Sequence, residues 1–204
     1  MQEYTTPSDL SVDDKATTVD AILRYRAERP TMPLFKRRSS GTWITVTAKH
    51  FADEVDAVAK GLIASGVAPG DRVAILSSTR YEWTVLDYAI WRAGAVTVAI
   101  YETSATDQVK YIVENSGTSL LIVESEAQFT KHAEVVEAGD PLRETLVIER
   151  GAVNELTKRG EQIGDEQLDE RHANQLSSDA ATLIYTSGTT CLLYTSPSPR
   201  DATL

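Results

Sequence analysis

The sequence predicts an α/β fold: a mostly parallel sheet wound with helices, together with a small β-hairpin near residues 32–46. From Asp71 onward, short apolar runs alternate with segments of helical length, a pattern typical of parallel strands joined by crossover helices. Runs such as residues 72–76 are apolar at successive positions, so both faces of these strands are expected to be buried. Around Ser40, two β-rich runs flank a Ser-Ser-Gly turn, which predicts the hairpin.

The region before the sheet is predicted to begin with a polar, flexible arm at residues 1–16. A first helix is expected to start at a cap formed by Thr17 or Thr18 and to end near residue 29, before a proline. Thr47 is expected to cap a second helix, whose apolar residues recur at spacings of three and four. One face of that second helix should therefore belong to the core.

The alternating region predicts five strands and three longer helices. The strands are expected at 72–76, 95–100, 120–123, 145–148 and 182–185, and the helices at 81–93, 106–113 and 126–138. Thr106 is expected to cap the second of these helices, and the polar residues 150–179 to hold one or two short surface helices. The last strand is expected to end at an edge of the sheet, where apolar surface would be exposed.

Composition excludes several classes of function. The net charge of −10 and the sequence pI of about 4.8 argue against a nucleic-acid partner, which would require clustered lysine and arginine. With a single cysteine there is no internal disulfide, and the widely spaced His50, His132 and His172 are expected on the surface rather than in a metal site. There is no signal-peptide pattern and no apolar run long enough to span a membrane. We therefore expect a cytoplasmic protein with, at most, peripheral membrane association.

The candidate functional residues follow the last predicted strand. Five small residues continue the chain there, and they are Thr186, Ser187, Gly188, Thr189 and Thr190. Their hydroxyls and backbone N–H groups can surround phosphate oxygens, because glycine and small side chains allow close approach. The carboxyl end of a strand is also where ligands bind in parallel sheets. A plain polar turn is the alternative for a stretch of this kind, and neither a Walker loop nor a Gly-x-Gly-x-x-Gly motif is present.

Residues 185–190 resemble the opening of the phosphate loop of adenylate-forming enzymes, the superfamily of acyl-CoA synthetases, luciferases and nonribosomal adenylation domains. Residues 61–76 resemble the first core strand of that superfamily with the turn before it, and residues 91–96 resemble its Ala-Gly-Ala segment. Residues 80–83 and 100–104 look most like bacterial long-chain fatty acid–CoA ligases of actinobacterial type. The resemblance implies that residues 17–190 are a partial AMP-binding domain, the incomplete N-terminal subdomain of an adenylate-forming enzyme.

The resemblance also implies a chemistry for the parent enzyme. A fatty carboxylate attacks the α-phosphate of ATP and releases diphosphate, and the thiol of coenzyme A then attacks the acyl-adenylate and releases AMP. The implied small molecules are ATP with Mg²⁺, a long-chain fatty acid and coenzyme A. By this resemblance, the five residues Thr186–Thr190 bind the ATP phosphates, and no catalytic residue or metal ligand is assigned within this chain.

The chain departs from the family pattern directly after Thr190. Where the loop would continue Gly-x-Pro-Lys-Gly, the sequence reads Cys191-Leu192-Leu193-Tyr194. Residues 191–204 resemble a peptide produced when sequencing-adapter DNA is translated, and a natural Ser-Pro-rich tail is the alternative. We therefore expect an N-terminal fragment of a ligase, inactive by itself. The other hypotheses are a fragment of a ligase for another carboxylic acid and a short, non-catalytic chain that binds a nucleotide or a partner.

Overall fold

The structure, a computed structural model, describes residues 12–39 and 41–186. Within these ranges the helices are α1 (Asp20–Glu28), α2 (Ala48–Ala64), α3 (Tyr81–Arg92), α4 (Thr106–Ser116), α5 (Glu126–Lys131), α6 (Ala133–Val136), α7 (Ala152–Gly160) and α8 (Asp165–Ala173). The strands are β1 (Pro33–Ser39), β2 (Thr42–Thr47), β3 (Arg72–Leu76), β4 (Val96–Ile100), β5 (Thr118–Val123), β6 (Glu144–Val147) and β7 (Thr182–Ile184). A single 3₁₀ turn, Ile148–Arg150, follows β6.

Five of the strands form one parallel sheet in the order β6-β5-β3-β4-β7. The central strand β3 pairs along its whole length with β4, from Arg72 opposite Val96 to Leu76 opposite Ile100. The predicted parallel α/β sheet is therefore confirmed, and β7 lies at one edge of it, as expected. Strands β1 and β2 form a separate antiparallel pair, which confirms the hairpin.

Helices cover both faces of the sheet, because alternate residues of the central strands point in opposite directions. Val73 and Ile75 of β3 belong to a core cluster shared with α2, α3 and α7, whereas Ala74 and Leu76 belong to a second cluster shared with α4 and α6. All four side chains are fully buried. This two-sided burial explains why β3 reads as a continuous apolar run in the sequence.

The helix starts were predicted with mixed success. Thr47 caps α2, accepting a hydrogen bond from the backbone N–H of His50. The expected cap at Thr17 or Thr18 is wrong, because α1 begins at Asp20 and the Asp20 carboxylate instead accepts from the backbone N–H of Thr17. Thr106 is likewise the first residue of α4 rather than its cap. These threonines sit within a residue or two of the real boundary, where sequence signals are least precise.

The polar stretch after β6 does hold two helices, but α7 is not merely a surface helix. Leu156 of α7 is fully buried against α2, and the two helices meet at Gly61 and Gly160. A Cβ atom added to Gly61 would lie 2.0 Å from the carbonyl oxygen of Leu156, and one added to Gly160 would lie 2.6 Å from that of Ala57. Only glycine allows the backbones to approach this closely. Glycines carry no apolar signal, so the contact was missed.

A buried arginine fixes α3 against its neighbouring helices. Arg92 is 2% exposed and binds Asp56 of α2 at 2.8 Å and Asp169 of α8 at 2.5 Å. Arg26 of α1 binds the same Asp56 at 2.5 Å. The guanidinium of Arg92 thus ties together elements that are far apart in sequence, and each charge in the network has an opposite charge beside it.

Candidate functional site

The candidate loop begins at the carboxyl edge of the sheet. Strand β7 runs parallel to β4, with Thr97 opposite Thr182 and Ala99 opposite Ile184, so both strands end on the same side. Thr186 is exposed two residues beyond β7. The other four candidate residues, Ser187, Gly188, Thr189 and Thr190, lie outside the residues that the structure describes.

Three contacts, one before β7 and two after it, hold the strand in place. The indole N–H of Trp91 donates to the carbonyl oxygen of Ala181 at 2.8 Å, just before the strand. Beyond the strand, the hydroxyl of Tyr185 donates to Oδ1 of Asn115 at 2.7 Å, and its ring meets Tyr111 edge-on with centroids 6.2 Å apart. Burial raises the pKa of Tyr185, so the phenol stays a hydrogen-bond donor at neutral pH. The candidate loop therefore starts from a point fixed on α4, and the strand before it is fixed on α3.

A second polar group lies at the same edge, in the crevice between β3 and β5. The chain leaves these two neighbouring strands in opposite directions: the connection after β3 leads to β4 on one side, and the connection after β5 leads to β6 on the other. Ligands of open α/β sheets usually bind at such a switch point. Glu124 follows β5, and its carboxylate accepts hydrogen bonds from the backbone N–H of Ser78 at 2.8 Å and from the Ser78 hydroxyl at 2.9 Å.

Glu124 occupies the donors that an anionic ligand would use in this crevice. Arg80 binds the same carboxylate at 3.3 Å and also binds Glu82 at 2.8 Å. Burial alone would raise the pKa of Glu124, but the hydrogen bonds from Ser78 and the charge of Arg80 outweigh it and lower that pKa. The carboxylate thus stays ionised, and a phosphate placed here would meet a negative charge. Sequence reasoning missed this group, although a polar residue directly after a buried strand was the available signal.

A cavity lies at the opposite edge of the sheet, at the amino ends of the strands. Its volume is about 820 Å³, and it is lined at the amino ends of β3 and β4 by residues that include Arg72 and Val96. Two of its polar side chains are already engaged: Arg171 donates to the carbonyl oxygens of Val67 and Ala93, and Gln175 donates to that of Trp91. The cavity lies at the amino ends of the strands, whereas the candidate loop follows the carboxyl end of β7, and the lining gives no reason to assign the cavity a ligand.

One buried carboxylate stands apart from the polar groups at the carboxyl edge. Asp87 of α3 is 6% exposed, and burial raises its pKa to about 6, opposed in part by Thr97 of β4. Oδ1 of Asp87 and Oγ1 of Thr97 nevertheless make no hydrogen bond of ordinary geometry within the described residues. Burial therefore dominates, and the ionised form of Asp87 is poorly stabilised.

The histidine predictions need one correction. His50 is exposed and His172 lies 3.0 Å from Asp20, but His132 is fully buried. It sits where the helix predicted over 126–138 breaks into α5 and α6, which directs its ring into the core. Burial, reinforced by the charge of Lys131, lowers its pKa.

The described residues contain neither a candidate metal site nor a candidate membrane-spanning helix. Across residues 12–39 and 41–186, no three His, Cys, Asp or Glu side chains converge as a metal site would require. None of the helices described above combines the length and apolar character needed to cross a bilayer.

Comparison with known proteins shows similarity over most of the chain, including the candidate loop. The family model described as AMP-binding enzyme matches residues 23–192, a range that includes all five candidate loop residues. The long-chain-fatty-acid–CoA ligase FadD15 of Mycobacterium bovis is 39% identical over 193 residues, which cover 93% of this chain and 32% of that protein. The ligase ACSBG2 of Mus musculus is 28% identical, covering 85% of this chain and 28% of that protein. The chain thus spans about a third of the length of these curated relatives.

Solved structures agree on the fold. A long-chain-fatty-acid-CoA ligase, FadD1, from Archaeoglobus fulgidus superposes with a TM-score of 0.71 at 18% identity, covering 88% of this chain and 36% of that one. The N-terminal domain of FACL13 from Mycobacterium tuberculosis gives a TM-score of 0.66 at 24% identity, covering 84% of this chain and 42% of that one. At these identities the likeness concerns the architecture alone.

Proposed function

The chain belongs to the family of AMP-binding enzymes, and from this premise we propose that it is the N-terminal part of a long-chain fatty acid–CoA ligase. The similarity to FadD15 over 93% of the chain supports the choice of substrate class. In the proposed reaction, a fatty carboxylate attacks the α-phosphorus of ATP and expels diphosphate. The thiol of coenzyme A then attacks the acyl carbon of the acyl-adenylate, so that acyl-CoA forms and AMP leaves.

The observation that carries this proposal is the position of Thr186. Strand β7 delivers it to the carboxyl edge of a parallel sheet, and the family match continues through residue 190. We assign the binding of ATP phosphates to Thr186, Ser187, Gly188, Thr189 and Thr190. Hydroxyl and backbone donors held close to the departing diphosphate would stabilise the charge that develops there. The Glu124 carboxylate in the neighbouring crevice supports this choice, because it leaves the loop as the phosphate-binding element of this edge.

The described residues alone do not make a magnesium site, as no suitable acidic cluster occurs among them. In the proposal Mg²⁺ arrives bound to ATP, as it commonly does in enzymes that use nucleotide triphosphates. Small molecules, not nucleic acids, are the proposed partners, and the proposed location is the cytoplasm. Residues 17–190 form the partial AMP-binding domain in this scheme, after an arm at 1–16, and residues 191–204 are a foreign tail, of which the family match includes only the first two residues.

The proposal is tested by two assays of thioester and diphosphate formation. The purified 204-residue chain should form no acyl-CoA from ATP, coenzyme A and palmitate. The full-length product of the same locus should release diphosphate when given a long-chain fatty acid. In that product, Thr189→Val with Thr190→Val should raise the KM for ATP, whereas Thr31→Val, at an exposed threonine before β1, should not. Acyl-CoA formation by the short chain would overturn the claim that it is incomplete.

The same assays separate the other two hypotheses. Diphosphate release with acetate, an aryl acid or an amino acid, but not with palmitate, would indicate a ligase for a different carboxylic acid. A short chain that binds a nucleotide without catalysis would melt cooperatively and give heat when titrated with ATP and Mg²⁺. The absence of heat would remove nucleotide binding from that hypothesis.

A further inference from the structure

The outward face of the β1–β2 hairpin carries an unusual set of side chains. Lys36 pairs with Thr45 and Arg38 pairs with Trp43 across the two strands. Since side chains alternate along a strand and cross-strand partners share a face, these four residues lie on one face. All four are exposed, and Trp43 is 66% exposed. We call this set the hairpin outer face.

The opposite face of the hairpin is anchored to the body of the protein. Phe35 packs on Phe51 of α2 with ring centroids 4.9 Å apart, and Val46 is only 1% exposed. The guanidinium of Arg37 lies 4.6 Å from the centre of the Tyr81 ring. These contacts fix the orientation of the hairpin, so the outer face points away from the domain as a preformed surface.

The hairpin lies in a strongly basic part of an acidic chain. Residues 21–49 contain seven lysines and arginines against one glutamate, although the whole chain has a net charge of −10. Two of these cations, Arg26 and Lys49, pair with Asp53. By contrast, Lys36 and Arg38 form no ion pair with any residue in the described ranges. Their charges therefore remain available to an anionic partner.

We propose that the hairpin outer face docks on an anionic phospholipid surface. The Trp43 ring has the mixed apolar and polar character that places tryptophan at the level of lipid headgroups. Lys36 and Arg38, beside it on the same face, would contact the phosphates of anionic lipids. The acidic remainder of the chain would be repelled by the same surface, which favours an orientation in which the hairpin outer face contacts the lipid.

The size of the face favours a membrane over a protein partner. Two strands of this length present roughly 230 Å² on one side. A stable protein interface needs about 800 Å² from each partner, so this face alone is too small to hold a second copy. A bilayer requires only a seated aromatic ring and nearby cations. The inference concerns membrane attachment and does not depend on the proposed ligase reaction.

Vesicle flotation tests this proposal with the full 204-residue chain. The chain should float with vesicles of phosphatidylcholine and phosphatidylglycerol, and much less with phosphatidylcholine alone. Lys36→Gln with Arg38→Gln should weaken the anionic binding about thirtyfold, because each cation near an anionic surface contributes about a factor of five. Trp43→Ala should weaken it further. The matched control is Lys110→Gln with Lys158→Gln, which removes two exposed cations from α4 and α7.

That control should change binding by less than about threefold, since charges far from the contact are screened by salt. Equal weakening in the two double variants would show that net charge, not the hairpin, governs binding and would overturn the proposal. So would absence of flotation with anionic vesicles, or equal flotation with neutral ones. Sedimentation velocity tests whether a second copy of the chain occupies this face instead. A dimer of the wild type that is lost in the hairpin variants would assign the face to that second copy and overturn the proposal.

Discussion

The buried carboxylate of Asp87 should make its contribution to the free energy of unfolding smaller at neutral pH than at acidic pH. Its folded-state pKa is about 6, raised by burial from the ordinary value of 3.8. The folded state therefore holds the proton more tightly than the unfolded state, so the stabilisation is present below about pH 4 and lost as pH rises through about 6. A shift of about two units corresponds to about 3 kcal/mol in full, of which about 2 kcal/mol falls between about pH 4.5 and pH 7.5.

Asp87→Asn removes the ionisation while keeping the shape of the side chain. Urea unfolding followed by circular dichroism, at pH values across this window, gives the free energy of unfolding of both proteins. The free energy of unfolding of the variant, relative to that of the wild type, should rise by about 2 kcal/mol from about pH 4.5 to pH 7.5. Because all other carboxylates are common to both proteins, their titration cancels in the difference. Parallel stability curves for the two proteins would refute the assignment of a penalised, buried charge to Asp87.

Three further substitutions probe packing and the polar edge. Gly61→Ala should destabilise the protein by about 2 kcal/mol in urea unfolding, since its Cβ would lie 2.0 Å from the carbonyl oxygen of Leu156. Asn154→Ala, at an exposed position of α7, should be neutral or stabilising, and equal effects of the two substitutions would contradict the close α2–α7 contact. Arg92→Met should cost about 2 kcal/mol of unfolding free energy by removing the charged hydrogen bonds to Asp56 and Asp169, although Arg26 still pairs with Asp56, and an unchanged urea midpoint would refute this. Glu124→Gln should cost about 1–2 kcal/mol at neutral pH. Because the pKa of Glu124 is lowered, that cost should persist at its ordinary pKa and shrink as pH falls through the lowered one, and a cost independent of pH would argue against an ionised carboxylate.

The parallel sheet was predictable because its strands are buried on both faces. The alternate residues of β3 enter two different core clusters, so the strand is apolar throughout and stands out in the sequence. The α2–α7 contact was not predictable, because it depends on Gly61 and Gly160, which reveal their role only when the two backbones meet. The burial of His132 was not predictable for a similar reason, since it depends on a break between two short helices.

The strand that leads to the candidate site was predictable, but the polar groups at the same edge of the sheet were not. Small hydroxylic residues after an apolar strand indicated the loop at Thr186, and the register of β7 with β4 confirms the edge on which it begins. The hydrogen bonds of Glu124 to Ser78 join residues that are 46 positions apart. No local pattern encodes that pairing, because it arises from β3 and β5 lying side by side in the sheet.

The most direct test of the central claim is to sequence the gene through and beyond codon 190 in independent reads. If the chain is the N-terminal part of a ligase, the reading frame should continue from Thr190 into Gly-x-Pro-Lys-Gly. It should then encode the further two thirds that the length of FadD15 leads us to expect. A natural stop codon directly after Leu204, found in every read, would contradict the account.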